Sequence, residues 1–441
     1  MRYNRLYIYV AILGGMLFGY DTAIINGAMP FFSMYFQLTD TELGWAISSG
    51  LLGCIIGSLI ASWPAELLGR KATMLISSVL FFFSSVGTGL AHTLDLFVLS
   101  RIIGGVAVGL VSVTLPIYIS EVSTPEKRGS LTVNFQLGVV IGILVAFFID
   151  FLLINTGENN WRYMFASMML PSIFFGICLM FIHRSPRWLI KKKRNTEAKL
   201  ILEKIYSQEQ ANAVYEEMIS LIKDEKNELR YIDIFRKTYL KFIFIGVAVG
   251  VFSQLSGIAI VMYYATDIFR SAGFSTNSAL GQTVILGFTN LFFTLLAKRL
   301  IDRWGRRKLL LVGTIMMVVF LSLLSVVYLD NTLPSWCSLL ALVGFVASFA
   351  SSMGAVSWVL LSEIFPNRIR SIGMSIGSLV NWIVNGCISF LFPIIAGMGN
   401  NGRGICFAFF AVMTFIGFLF FKKYLFETCN KSLEEIETEN I

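Results

Sequence analysis

The feature that most constrains this chain is a recurrence. Apolar runs of about 20 residues, each able to cross a bilayer as one helix, come up twelve times, over residues 7–29, 43–63, 73–91, 95–118, 131–154, 162–183, 240–268, 278–299, 307–329, 335–362, 371–397 and 402–425. Inside hydrocarbon every backbone N–H and C=O must find a partner within the protein, so a spanning segment is a helix or a barrel strand. Uninterrupted runs of this length are helical. The expected fold is therefore an all-α membrane protein with twelve transmembrane helices, here called spans 1 to 12. A hydrophobic share of 56%, a charged share of 14% and a mean hydropathy of +0.73 exclude an ordinary soluble enzyme. The basic prefix Met1–Arg5 is followed by a run too long for a cleaved signal and without a small-residue cleavage site, so span 1 is expected to stay in the protein.

Charge placement gives the orientation. The net charge of +8 invites a nucleic-acid reading, but of the 35 Lys and Arg residues all but Arg101, Arg162, Arg270 and Arg403 fall on even-numbered connections, the termini or the span ends beside them. The positive-inside rule then puts both termini in the cytoplasm and accounts for the basic balance without nucleic acid. The one long polar segment, residues 184–239, lies between spans 6 and 7. From His183 to Lys241 it mixes 14 basic and 9 acidic residues at helical spacing. It reads as a cytoplasmic helical linker, either a solvated connector or a docking site. Domain boundaries follow: 1–183 and 240–425 as six-helix bundles and 426–441 as a cytoplasmic tail.

The two halves repeat each other. Gly69-Arg70-Lys71 after span 2 answers Gly305-Arg306-Arg307-Lys308 after span 8, an offset of 236 residues. Glu121, with Arg128 seven residues on, ends span 4; Glu363, with Arg370 seven residues on, ends span 10, an offset of 242. Parallel six-helix repeats predict two bundles with a substrate site near the bilayer midplane. The repeated acid and arginine pattern reads either as ion-pair latches at the cytoplasmic ends or as plain basic anchoring.

Asp21 and Arg101 are charges well inside spans. Asp21 stands ~21 Å along span 1 and Arg101 ~9 Å into span 4 from the opposite side, so both fall in the same half of a hydrocarbon core of about 30 Å. An acid buried there calls for a partner or a water path. The pair is either a proton switch, in which movement of the guanidinium changes the affinity of the carboxylate for a proton, or a static tie between two helices. Amides and indoles within spans include Gln136, Gln254, Asn290, Trp358, Asn381, Trp382 and Asn385. Such groups suit sugar hydroxyls and the apolar C–H faces of a sugar ring, and amides also serve as interhelical glue.

The absences narrow the chemistry. No GxxxxGK[ST] phosphate loop is present, so ATP is not expected to drive the protein directly. HExxH does not occur, the one GxSxG match, at residues 373–377, lies inside an apolar run and not at the strand-to-helix turn that such a nucleophile needs, and the six cysteines and two histidines are scattered. No catalytic site, metal or cofactor is expected.

Together these motifs resemble the sugar porter family of the major facilitator superfamily. The resemblance covers nearly the whole chain. It includes Gly19-Tyr20-Asp21-Thr22, Arg101-Ile102-Ile103-Gly104-Gly105, Trp161-Arg162-Tyr163-Met164-Phe165, Ser185-Pro186-Arg187-Trp188-Leu189, Gln254-Leu255-Ser256-Gly257-Ile258 and Ser432-Leu433-Glu434-Glu435. It implies proton-coupled symport of a monosaccharide across the cell membrane by alternating access, by a chain acting as a monomer among lipids. In that reading Asp21 takes the proton, which is the coupling ion, and Arg101 modulates it. The amide and indole set binds sugar, Phe18 lines the pocket, and Tyr263 and Tyr264 form an outer gate. Arg187 joins the latch set of Arg70, Glu121, Arg128, Arg306, Glu363 and Arg370. The facilitative glucose carriers are also similar but carry Asn where Asp21 stands, so a sugar or polyol uniporter is the alternative, with a non-transporting sensor behind it. This chain departs from the family pattern at Ser253, Ala259, Met168, Glu66-Leu67 and Arg184. Those departures leave the identity of the sugar open.

Overall fold

The computed structural model describes residues 2–122, 125–224, 237–330, 333–365, 370–399 and 401–427. Among these every regular element is an α-helix. Twelve helical segments are long and apolar enough to cross a membrane: Leu6–Tyr35, Asp40–Leu67, Arg70–Gly89, Leu94–Val122, Asn134–Leu153, Asn160–Phe181, Tyr239–Ser271, Thr276–Ile301, Arg306–Leu329, Trp336–Leu361, Gly373–Ala396 and Gly402–Tyr424. These are spans 1 to 12 in order. Span 1 runs six residues beyond the expected end at residue 29, through Pro30.

The chain divides into two compact units. The first comprises Met1–Thr22, Leu52–Ala146 and Arg162–Glu228; the second comprises Ala23–Leu51, Phe147–Trp161 and Leu229–Ile441. Within each, helices meet through small residues, which let backbones approach where no hydrophobic driving force separates helix from lipid. In the first unit a Cβ at Gly15 or Gly19 would strike the main-chain oxygen of Phe135 or Val139 in span 5, and one at Gly142 would strike that of Met16 in span 1. Spans 2 and 4 meet likewise, Gly53 and Gly57 lying against the carbonyls of Ile102 and Val106. In the second unit Gly250 of span 7 lies against Gly377 of span 11, with 2.7 Å left for a Cβ.

The repeated Gly-Arg turns take the same shape. Gly69 has φ 93° and ψ 156°, and Gly305 has φ 82° and ψ 160°. This conformation is costly for any residue with a Cβ, and it ends spans 2 and 8 just ahead of the arginine that opens the next helix.

Among the described residues four spans are broken. Span 2 is interrupted at Ala61, between helices Asp40–Ile60 and Ser62–Leu67. Span 6 is interrupted at Met168, between helices Asn160–Ser167 and Met169–Phe181. Span 7 stops at Leu255 and resumes at Ile258, with Gly257 left-handed at φ 83°. Span 10 breaks at Ser352, whose φ of −129° and ψ of −92° separate Trp336–Ser351 from Met353–Ile364. Breaks at membrane depth free backbone groups and are tolerated where protein or a water-lined cavity serves them.

The linker forms helices Pro186–Lys191, Asn195–Ile205 and Gln208–Asp224. Ser185 caps the first by accepting from Trp188 N at 3.2 Å, with Pro186 at the favoured first position. Trp188, Leu189, Leu202 and Tyr215 form its apolar core. Trp188 Nε1 donates to the carbonyl of Glu66 at 2.9 Å, tying the linker to the turn after span 2.

Candidate functional site

In the first unit Asp21 and Arg101 meet. Arg101 Nη1 donates to Asp21 Oδ1 at 2.9 Å, and Nη2 donates to the main-chain oxygen of the same residue at 3.3 Å. Each residue is only 4% exposed. The matching depths expected from the lengths of spans 1 and 4 therefore become direct contact. Gly104 clears the space, since a Cβ there would stand 3.2 Å from Asp21 Oδ1, and Ser84 Oγ donates to the carbonyl of Ser100 beside it. The Arg101 guanidinium also lies 5.7 Å from the centre of the Phe165 ring. Its Nε has no hydrogen-bond partner. Losing one member of such a buried pair strands the other charge and costs about 3–5 kcal/mol. Phe18 and Gln136, both half-buried, belong to this unit, and the Phe18 ring lies 6.4 Å from that of Phe135.

The remaining described candidates for sugar contact belong to the second unit. Gln254 is the last residue but one of the helix that ends at Leu255, just before the break in span 7. Its Nε2 donates to Asn381 Oδ1 at 3.1 Å, and Asn381 Nδ2 donates to the Gly250 carbonyl at 3.3 Å. Gln254 Oε1 is buried with no hydrogen-bond partner, an acceptor that a sugar hydroxyl would satisfy. One turn along span 11, Asn385 Nδ2 donates to Tyr263 Oη at 3.4 Å and its Oδ1 accepts from Ser389 Oγ at 3.1 Å. Asn290 and Trp382 are buried, as are Ser253 and Ala259, the two departures on span 7. Met168, the departure on span 6, is buried at its helix break. The side chains of Trp358, Arg128 and Arg370 lie outside the described residues, as does the tail motif Ser432–Glu435.

The tyrosines placed at the gate tie spans together. Tyr264 Oη donates to the carbonyl of Ser389 at 2.7 Å, and its ring lies 4.8 Å from that of Phe392. Beyond it, Thr266 N donates to Asn26 Oδ1 at 2.9 Å, joining span 7 to the far end of span 1.

The latch residues pair within each half. Arg70 Nη2 meets Glu121 Oε1 at 2.9 Å, and Arg306 Nη2 meets Glu363 Oε1 at 3.2 Å. Both arginines also reach back to a helix-end carbonyl, Ala65 O at 3.0 Å and Ile301 O at 3.3 Å. The repeated sequence thus closes the same ring twice. Arg187 lies on the first linker helix.

Three participants escaped sequence reasoning. Asp150 is a buried acid on span 5 whose Oδ2 accepts from Gly27 N at 3.1 Å. Glu427 accepts from the main-chain N–H groups of Arg306 and Arg307 at 2.8 and 3.0 Å, so the chain after span 12 caps the start of span 9. Asp267 pairs with Arg403 at 3.0 Å. Asp150 had a visible signal, a lone charge inside a predicted span, which averaging over the apolar run concealed.

Comparisons with known proteins agree on one family. A family profile described as "Sugar (and other) transporter" matches residues 7–439. The D-xylose-proton symporter of Escherichia coli (strain K12) is 35% identical, covering 99% of this chain and 96% of that protein. The arabinose-proton symporter of Bacillus subtilis (strain 168) is 33% identical, covering 96% and 92%. The solved structure of the Escherichia coli xylose transporter in a partially occluded, inward-open conformation aligns with a TM-score of 0.87 at 32% identity, covering 98% of this chain and 100% of that one.

Proposed function

We propose that this chain, which belongs to the sugar porter family of the major facilitator superfamily, is a multi-pass transporter that moves a monosaccharide together with a proton by alternating access. The observation that carries the reading is the buried contact between Asp21 and Arg101. A carboxylate locked by a guanidinium holds its charge. Drawing Arg101 away while Asp21 remains out of water makes the carboxylate take a proton, and restoring the contact expels it. Arginine stays charged throughout. The symporters that the chain resembles are named for xylose or arabinose and the proton, and this supports the same coupling here.

The sugar site we assign to Phe18, Gln136, Gln254, Asn290, Trp358, Asn381, Trp382 and Asn385, with Tyr263 and Tyr264 as the outer gate. Arg70, Glu121, Arg128, Arg187, Arg306, Glu363 and Arg370 form the cytoplasmic latches. Residues 1–183 and 240–425 act as the two moving bundles, 184–239 joins them, and 426–441 is the tail. Both termini face the cytoplasm of a cell membrane, the protein works as a monomer in lipid, and the proton is its one coupling ion. Within the second unit the bond from Thr266 to Asn26 joins span 7 to span 1, a contact that opening of that end would have to break.

Uptake of a panel of sugars and polyols at two external pH values tests this reading. Acid-stimulated accumulation of a monosaccharide is expected. Flux with no pH response and no accumulation would leave a uniporter, and binding without flux a sensor. Ser253 and Ala259 stand where the family places an amide, so a polyol in place of the sugar is the second substrate class to try.

A further inference from the structure

We propose that Asp150 is a second proton site, one that takes a proton from the outer solution when the outer end of the transporter closes and returns it when that end opens. The inference rests on the alternating-access reading. Asp150 lies near the end of span 5, fully buried, and within the second unit its side chain is pressed against Gly27 of span 1. A Cβ at Gly27 would collide with three atoms of that side chain, so the glycine is what admits the carboxyl. Gly27 N is the hydrogen-bond donor to Oδ2, and Oδ1 is buried with no hydrogen-bond partner. The next residue, Asn26, makes the bond that joins span 1 to span 7, and its Nδ2 is likewise buried without a partner. One closure thus seals the Asn26 contact and the pocket around Asp150.

Charged and titratable groups on the surrounding elements pair with other residues or lie at helix ends. On span 1, Asp21 is bound to Arg101 and Tyr20 Oη pairs with Ser167 Oγ at 2.6 Å. On span 7, Asp267 pairs with Arg403, Tyr263 and Tyr264 bond to span 11, and Arg270 lies at the helix end. Span 8, which Phe151 touches at Gly281, has no charged residue from Thr276 to Ala297. Among the described residues Asp150 therefore meets no cation that would sustain its charge. An ionised carboxyl with one amide donor is strongly disfavoured in that setting, whereas the neutral acid is tolerated. When the outer end opens, water reaches the carboxyl and it ionises; when it closes, hydronium gives up a proton to Asp150 and leaves water. The proton returns to the side it came from, so it gates the cycle without adding to the transported charge.

The test is sugar counterflow, which needs no net proton movement, in right-side-out vesicles at external pH of about 6 and about 8. Wild-type counterflow is expected to fall with rising external pH by up to about tenfold per unit. Asp150→Asn, which keeps the shape, is expected to flatten that response while leaving the accumulation ratio unchanged. A flat wild-type profile, or an Asp150→Asn profile as steep as the wild type, overturns the proposal. Should Asp150→Asn fail to reach the membrane, infrared spectra of Asp21→Asn decide: a protonated-carboxyl band persisting near pH 8 supports the site, and its absence overturns it. Accumulation by Asp21→Asn is read separately, so a failure of the Asp21 coupling reading is distinguishable from a failure at Asp150.

Discussion

Arg101 holds Asp21 at two points, the carboxylate Oδ1 at 2.9 Å and the residue's own main-chain oxygen at 3.3 Å. The second bond matters because it survives protonation of the side chain. In the proposed switch the guanidinium would keep its contact with the span 1 backbone while its grip on the carboxylate weakens.

Asp21→Asn keeps both hydrogen-bond sites and removes the charge. Proton-driven accumulation is expected to fall to an internal-to-external ratio near equilibrium while sugar exchange continues, as measured in energised vesicles with and without a proton gradient. Accumulation at the wild-type ratio would refute Asp21 as the coupling residue.

Gln254 and Asn381 act on each other through the 3.1 Å bond between their side chains. Each alanine variant is expected to raise the KM for sugar by about tenfold, the loss of one hydrogen bond to a polar ligand. The double variant should fall short of the product by about 1 kcal/mol of coupling. Strict additivity in a double-mutant cycle of uptake kinetics would mean that the pair does not hold the sugar jointly.

The two latches differ in exposure. The Arg70 and Glu121 side chains are 9% and 4% exposed, against 14% and 24% for Arg306 and Glu363. Glu121→Gln is therefore expected to lower stability by about 3–5 kcal/mol, while Glu363→Gln costs about 1 kcal/mol or less because water screens the stranded arginine. Thermal unfolding in detergent separates them, and equal losses would contradict the ranking.

Gly19 touches the carbonyl of Val139 across the interface of spans 1 and 5. Gly19→Val would force that interface apart, at a cost of about 1–3 kcal/mol or more. Because Asp21 is two residues on, coupling should suffer before folding does, visible as a lower accumulation ratio in protein of normal yield.

His183 lies between span 6 and the linker, with Nδ1 at 3.1 Å from Tyr7 Oη. Partial burial, then Lys204 and Lys71, hold its pKa below the usual histidine value. Since the unfolded chain binds the proton more readily, this contribution to stability is complete above the unfolded pKa of about 6.5. It is lost as pH falls through the lower folded value. A His183→Gln variant should therefore lose less thermal stability than the wild type on acidification below about pH 6.

By itself the sequence determined the twelve spans and the duplication of the halves, because a bilayer imposes length and hydropathy on every crossing and the Gly-Arg and Glu motifs repeat at nearly constant offset. It also exposed Asp21 and Arg101, since a charge in an apolar run is conspicuous and helical rise converts position into depth. Tertiary structure alone decided who meets whom. That Arg70 takes Glu121, that Gln254 takes Asn381 at a helix break, and that Glu427 caps span 9 are matters of helix rotation and packing, which one-dimensional hydropathy does not encode. Asp150 shows the difference most plainly: its charge was in view in span 5, but its isolation, with one amide donor from Gly27 and no cation among the described residues, exists only once span 1 lies against it.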